Sequence, residues 1–190
     1  MRIRMILTFT LLTFAALTKG QIPSDYKELY ETLFLGVPYQ CSQIKAITHL
    51  RNSGNVKGVG FAYNNLMGYF TSHDLLDIKE IEGPNNRGYL QFIFVIEANK
   101  IKRRRLVAEN LSTFSQYKII ESLVEGLAVT KESEQNKNRL LFQNTKITKY
   151  YTKNKKLFAV IELTYGEGAE VPDKLLQTSF IVTLYDLGVF

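Results

Sequence analysis

The sequence predicts a mainly β protein, an antiparallel up-and-down barrel with a short N-terminal helix. From about residue 40 onward, apolar residues recur with a period of two, which is typical of half-buried strands. Turn-forming residues, such as the glycine, proline and asparagines of 83–88, separate these runs at regular intervals. The chain has a single cysteine, so no disulfide within the chain protects a sheet edge, and closing the sheet would remove its edges.

Residues 1–20 have the layout of a secretory signal peptide. Two arginines give a positive start, residues 5–17 carry no charge and are largely apolar, and the small residues Thr18 and Gly20 lie at the two positions before Gln21 that a signal peptidase reads. The apolar run is shorter than the roughly 20 residues that span a bilayer. We therefore predict a secreted, extracellular protein with no transmembrane anchor, consisting of one β-rich domain over residues 21–190.

Composition is that of a folded chain, with 45% hydrophobic and 12% aromatic residues. Three of the 24 cationic residues belong to the predicted signal peptide, so 21 would face the 18 acidic residues in the mature chain. A surplus this small gives no reason to expect nucleic acid as a partner. Cys41 is predicted to be either buried and free, which we favour, or exposed and able to pair with another chain.

The predicted elements begin with a helix. Ser24 is its candidate N-cap, aromatic and leucine residues recur at helical spacing over 26–34, and Gly36 ends it. Clear strands follow, at 90–98, 140–151, 157–165 and 176–184. Residues 114–130 fit both a helix and a strand; Gly126 and the β-branched residues favour a strand. A helix there would instead give an α+β fold with a helix packed on an antiparallel sheet.

The densest charge of the chain lies in residues 100–105. We predict a surface basic patch there, consisting of Lys102, Arg103, Arg104 and Arg105. Such a patch binds an anionic polysaccharide such as heparan sulfate, a protein or an anionic membrane by Coulomb attraction. Two alternatives stay open: a solvated edge strand and a dibasic processing site. Five lysines of 146–156 would extend the patch unless the glutamates of 121–134 neutralise it.

Asn110, in the triplet Asn-Leu-Ser, is an N-glycosylation sequon that secretion would make usable, and its modification would make the chain a glycoprotein. Occupancy is left open. Modification would require Asn110 to lie on an exposed loop or strand edge.

The sequence contains no catalytic or metal-binding signature. The two histidines, His49 and His73, lie in no recognisable catalytic context, and the Asp74 and Asp77 carboxylates near His73 lack the spacing of a zinc site. We therefore predict a binding protein that is not an enzyme and that needs no cofactor or metal.

Aromatic residues are the remaining lead, because the chain has 11 tyrosines and 12 phenylalanines but no tryptophan. Inside a barrel, such side chains either fill the interior or line a pocket for an apolar ligand. We predict sequestration or carriage of a small hydrophobic ligand; the alternative is a filled core and a function at the surface. The candidate lining residues are Phe92, Phe94, Ile96, Leu163, Tyr165, Phe180 and Val182.

Two resemblances accompany this interpretation. A signal peptide, a leading helix and about eight antiparallel strands in roughly 170 residues resemble the secreted lipocalins, which implies a barrel whose mouth takes a small hydrophobic or amine ligand. Residues 117–126, ending in Ser122-Leu123-Val124-Glu125-Gly126, are similar to the strand and hairpin loop with which cystatins block cysteine proteases. That resemblance implies protease inhibition as one form of the surface function.

Overall fold

The computed structural model describes residues 25–73, 76, 89–109, 114–138, 143–166 and 179–188. The predicted signal peptide lies outside them. The helices are α1 (Tyr26–Leu33), α2 (Gln43–Asn52) and α3 (Phe114–Leu127). The strands are β1 (Val56–Ala62), β2 (Asn65–Phe70), β3 (Tyr89–Glu97), β4 (Lys100–Glu109), β5 (Thr130–Asn138), β6 (Gln143–Tyr151), β7 (Leu157–Gly166) and β8 (Ser179–Tyr185). Within the described residues, no helix is long and apolar enough to cross a membrane.

All eight strands form one antiparallel sheet in the order β1-β2-β3-β4-β8-β7-β6-β5. The mainly β, antiparallel prediction is therefore confirmed. The predicted closed, lipocalin-like barrel is wrong, because the described strands form an open sheet whose edges are β1 and β5. Helix packing gives the physical reason: α3 carries the chain from β4 to the far edge, and the helices bury the apolar face that closure would otherwise bury.

The sheet consists of two halves of the same topology. In each half a helix precedes a four-stranded meander, α2 before β1–β4 and α3 before β5–β8. The last strands of the halves, β4 and β8, pair antiparallel and join the two meanders. The two halves therefore have the same topology although no repeat is visible in the sequence.

Helix α3 corrects the strand that we favoured for residues 114–130. Tyr117, Ile120 and Val124 lie on one side of the helix and are buried in the core. Gly126 is exposed in the last turn, where fraying makes its low helix propensity cost little. The helix packed on an antiparallel sheet, which the alternative prediction contained, is therefore present within a mainly β fold.

Helix α1 forms where its aromatic spacing predicts it, with Asp25 as its N-cap: the Glu28 backbone N–H donates to the Asp25 carboxylate over 2.8 Å. The end of this helix packs on the sheet, with the Phe34 and Phe94 rings 5.5 Å apart. Cys41 is buried and free, as we favoured, and burial raises the pKa of its thiol.

Candidate functional site

The seven predicted lining residues lie on the helix-covered face of the sheet. Phe92, Phe94 and Val182 are fully buried, and Tyr165 is half-buried, with its hydroxyl accepting a hydrogen bond from the Gln135 side chain. The others, Ile96, Leu163 and Phe180, are also buried. The structure therefore brings these residues to one face, where they lie in the main hydrophobic cluster.

Close packing surrounds these side chains. The Phe92 ring centroid lies 5.3 Å from that of Phe94 and 4.9 Å from that of Phe70. Over Gly68 the packing is so tight that an added Cβ would come within 2.0 Å of the Phe92 Cζ. Helix α3 completes the contact, with Tyr117 6.1 Å from Phe180 between ring centroids. Contacts of this kind are those of a filled core.

The predicted basic patch divides between the two faces of β4. Arg104 is buried, with 2% of its surface exposed, so its place in a surface patch is wrong. Successive side chains of a strand point to opposite faces, and Arg104 points toward the helices while Arg103 and Arg105 point away from them. Lys102 is exposed at a bulge, where β3 and β4 shift register.

Arg104 binds the chain that leaves α1. Its guanidinium donates to the carbonyl oxygens of Val37 at 2.7 Å, Pro38 at 2.6 Å and Tyr30 at 3.4 Å. It also lies 5.6–5.9 Å from the ring centroids of Tyr30, Phe34 and Phe94. Burial lowers the pKa of Arg104 to about 10. This arginine therefore has a structural role, because it satisfies carbonyls at the end of a helix.

The exposed part of the basic run instead joins a second set of cations. Strand β7 lies two positions from β4 in the sheet, with β8 between them, and the antiparallel pairings make β7 parallel to β4. Both strands therefore begin at the same end of the sheet. The six exposed cations at this end form what we call the basic rim: Lys100, Lys102, Arg103, Lys153, Lys155 and Lys156.

The lysine turn of the rim has a defined conformation. Thr152 closes it: its backbone N–H donates to the Lys156 carbonyl over 2.9 Å, and its own carbonyl accepts from the Lys155 N–H over 2.9 Å. The Thr152 hydroxyl also accepts from the Lys156 N–H over 3.2 Å. Because the backbone is fixed, the three lysines are held next to the start of β7.

Ion pairs distinguish the rim from the other lysines of the predicted patch. Lys146 pairs with Glu121 at 3.7 Å and Lys149 with Glu134 at 3.9 Å. In the described part of the chain, every ion pair involves α3 or β5, and none involves the rim. The nearby Asp186 carboxylate accepts hydrogen bonds from the Tyr39 hydroxyl and the Gly188 N–H. Among the described residues at these strand ends, Glu97 at the end of β3 is the exposed carboxylate. Six exposed cations beside it give the rim a local excess of positive charge.

The sequence analysis left open whether five lysines of 146–156 extend the patch; three of them, Lys153, Lys155 and Lys156, lie at the patch end of the sheet, because the chain crosses over through α3. Lys100 was left out of the patch, and the lysines of the β6–β7 turn were separated from it by about fifty residues of chain. Only the strand order, which makes β4 and β7 parallel, brings the two groups together.

Two other predicted sites have different outcomes. Asn110 lies outside the described residues. The segment that is similar to the cystatin hairpin lies in α3, so Ser122–Gly126 forms no hairpin loop and the structural basis of that resemblance is wrong.

The fold and the site together define an antiparallel β protein with a helix-covered, packed face and a cationic end. A comparison with protein-family models, curated proteins and solved structures finds no match for the chain. Across the described residues, no cluster of three metal-ligating side chains occurs.

Proposed function

We propose that this chain is a secreted binding protein that attaches to a sulfated polysaccharide through the basic rim. The observation that carries the proposal is the convergence of six exposed cations, free of ion pairs among the described residues, at one end of the sheet. The predicted signal peptide supports it, because secretion delivers the chain to where sulfated polysaccharides occur.

Spacing favours a linear polyanion. Neighbouring strands lie about 4.8 Å apart, so the starts of β4 and β7 are about 10 Å apart across β8. Arg103 and Lys156 therefore stand within reach of successive anionic groups of one extended polymer. Exposed cations attract such a polymer by Coulomb forces that act over a Debye length of about 8 Å at physiological salt.

Carriage of a small hydrophobic ligand stays a prediction. We place it second because its seven candidate residues are packed against one another and against α1 and α3. Binding at the surface requires no rearrangement of this core.

Heparin affinity tests the proposal. The test variant, Lys102→Gln/Arg103→Gln/Lys155→Gln, removes three rim cations. Its matched control, Lys118→Gln/Lys131→Gln/Lys149→Gln, removes three cations that form ion pairs on α3, β5 and β6. At about 1 kcal/mol for each cation near an anionic surface, the test variant should bind heparin about 100-fold more weakly. The control should stay within about threefold, because its cations are already neutralised by glutamates.

Equal losses in the two variants would mean that heparin senses only net charge, and the rim would then not be the site. Binding to vesicles containing phosphatidylserine without binding to heparin would also contradict the proposal. Increasing salt should weaken the wild type more steeply than the test variant.

A further inference from the structure

Among the described strands, β1 and β5 are the two edges of the sheet, and they differ in how they are protected against pairing. Strand β5 is exposed throughout the residues whose side chains are described, and these side chains are all charged or polar, including Lys131-Glu132-Ser133-Glu134-Gln135-Asn136-Lys137. Charges of this kind oppose edge-to-edge pairing. Strand β1, Val-Lys-Gly-Val-Gly-Phe-Ala, has a single charged residue, Lys57, and leaves Phe61 51% exposed.

The turn that follows β1 determines which backbone N–H and C=O groups of this strand face its free edge. Tyr63 and Asn64, both with positive φ, form a two-residue turn, so Ala62 and Asn65 are a hydrogen-bonded pair. Hydrogen-bonded pairs alternate along an antiparallel ladder. Val59 and Phe61 therefore direct their N–H and C=O groups away from β2, toward the free edge.

We propose that β1 pairs antiparallel with β1 of a second copy of this chain, about a two-fold axis at Gly60. In this register Val59 of one copy lies opposite the partner's Phe61, and the reverse pair repeats it. The regular part of β1 begins after the bulge between Val56 and Gly58, and Gly60 is its centre. The dimer would contain four backbone hydrogen bonds between copies.

Self-complementarity is the reason to choose a second copy as the occupant. Val59 opposite an aromatic ring is a favourable cross-strand pair, and glycines meet glycine or alanine on the other face. The single charge, Lys57, falls opposite the partner's Tyr63, which is 97% exposed, so no like charges meet. Because β5 is charged, pairing ends at a closed dimer and does not continue into a fibre.

The strength of this dimer is limited by its size. One short strand pair buries far less than the roughly 1,200 Å² of a stable interface. Association should therefore be weak, reversible and dependent on concentration. This inference goes beyond the proposed polysaccharide function and does not depend on the basic rim.

Sedimentation velocity across a wide range of protein concentration, without polysaccharide, tests the dimer. Phe61→Pro removes an N–H that faces the free edge and leaves the ladder to β2 intact. We expect it to weaken dimerisation about 10-fold or more, because two hydrogen bonds between copies are lost. Ile44→Lys, which replaces another exposed apolar residue, on α2, should dimerise like the wild type.

A pair of double variants tests the register. Val59→Lys/Phe61→Lys places like charges opposite each other and should be monomeric, whereas Val59→Glu/Phe61→Lys places opposite charges together and should restore the dimer. Thermal unfolding of each variant shows whether it is folded. A wild type that is monomeric at all concentrations, or a Phe61→Pro variant that is folded and dimerises normally, would overturn the inference.

Discussion

Arg104 offers the sharpest test of how the fold is held together. Replacing it by methionine keeps a long side chain in the space between α1 and the sheet but removes every donor. The carbonyls of Tyr30, Val37 and Pro38 would then lose their guanidinium partner. A buried polar group without a partner costs about 1–3 kcal/mol.

The three carbonyls differ in how much they lose. The hydrogen bonds to Val37 and Pro38 are short, whereas the one to Tyr30 is long at 3.4 Å. Two strong losses and one weak one predict that Arg104→Met lowers the free energy of unfolding by about 3–5 kcal/mol. That is a large part of the 5–15 kcal/mol of a typical domain. Arg104→Lys should fall between the variant and the wild type, because an ammonium lacks the planar fork that reaches several acceptors.

Urea unfolding, followed by tyrosine fluorescence, measures these differences. Arg103→Met is the matched control: it is the neighbouring arginine, it is exposed, and its loss should change the free energy by no more than about 0.5 kcal/mol. Buried charges are sometimes replaced by apolar residues without loss. If Arg104→Met unfolds at the same urea concentration as Arg103→Met, the carbonyls do not depend on the guanidinium and the reasoning is refuted.

Two further predictions concern packing and pH. Gly68→Ala should lower the free energy of unfolding in urea by about 1–3 kcal/mol, because the new Cβ would come 2.0 Å from the Phe92 Cζ. Gly58→Ala, which has open space around it, should change this free energy little. Equal effects of the two substitutions would contradict this packing. Burial raises the pKa of Tyr39 to about 12 and also raises the pKa values of Tyr30, Tyr117 and Tyr150. Above pH 10, the ordinary pKa of tyrosine, the unfolded chain loses these protons while the folded chain keeps them. The free energy of unfolding should therefore fall as pH rises above 10. Arg104, with its pKa lowered to about 10, works in the opposite direction but is one group against four; unfolding midpoints between pH 9 and 12 that did not fall would refute the sign.

Sequence patterns predicted the local structure better than its arrangement. Apolar alternation found β3, β6, β7 and β8, and aromatic spacing found α1, because each pattern reflects which side of one element is buried. Residues 114–130 were ambiguous, since one set of apolar residues in this segment fits a helix and another set fits a strand. The packing of Tyr117 and Val124 against the sheet decided for a helix. That contact depends on strands distant in sequence.

The site was predictable only in part for a related reason. A run of cations in the sequence predicts one patch. In a strand, however, odd-numbered and even-numbered side chains lie on opposite faces. Arg105 lies on the face away from the helices, and Arg104 lies inside. The rim needs the parallel relation of β4 and β7, which no local pattern contains.

The alternation of side chains between the two faces of β4 also explains why the arginines of this strand have two roles, one structural and one at the surface. The chain that leaves α1 presents backbone carbonyls above β4, and an inward arginine there satisfies them while its charge is balanced by ring faces and carbonyl dipoles. The neighbouring side chains face water, where a cation stays solvated and loses no hydration free energy. Neutralising Arg103 should therefore affect binding without affecting folding, and neutralising Arg104 should do the reverse. The same two substitutions thus separate the structural cation from the one that we propose contacts the polysaccharide.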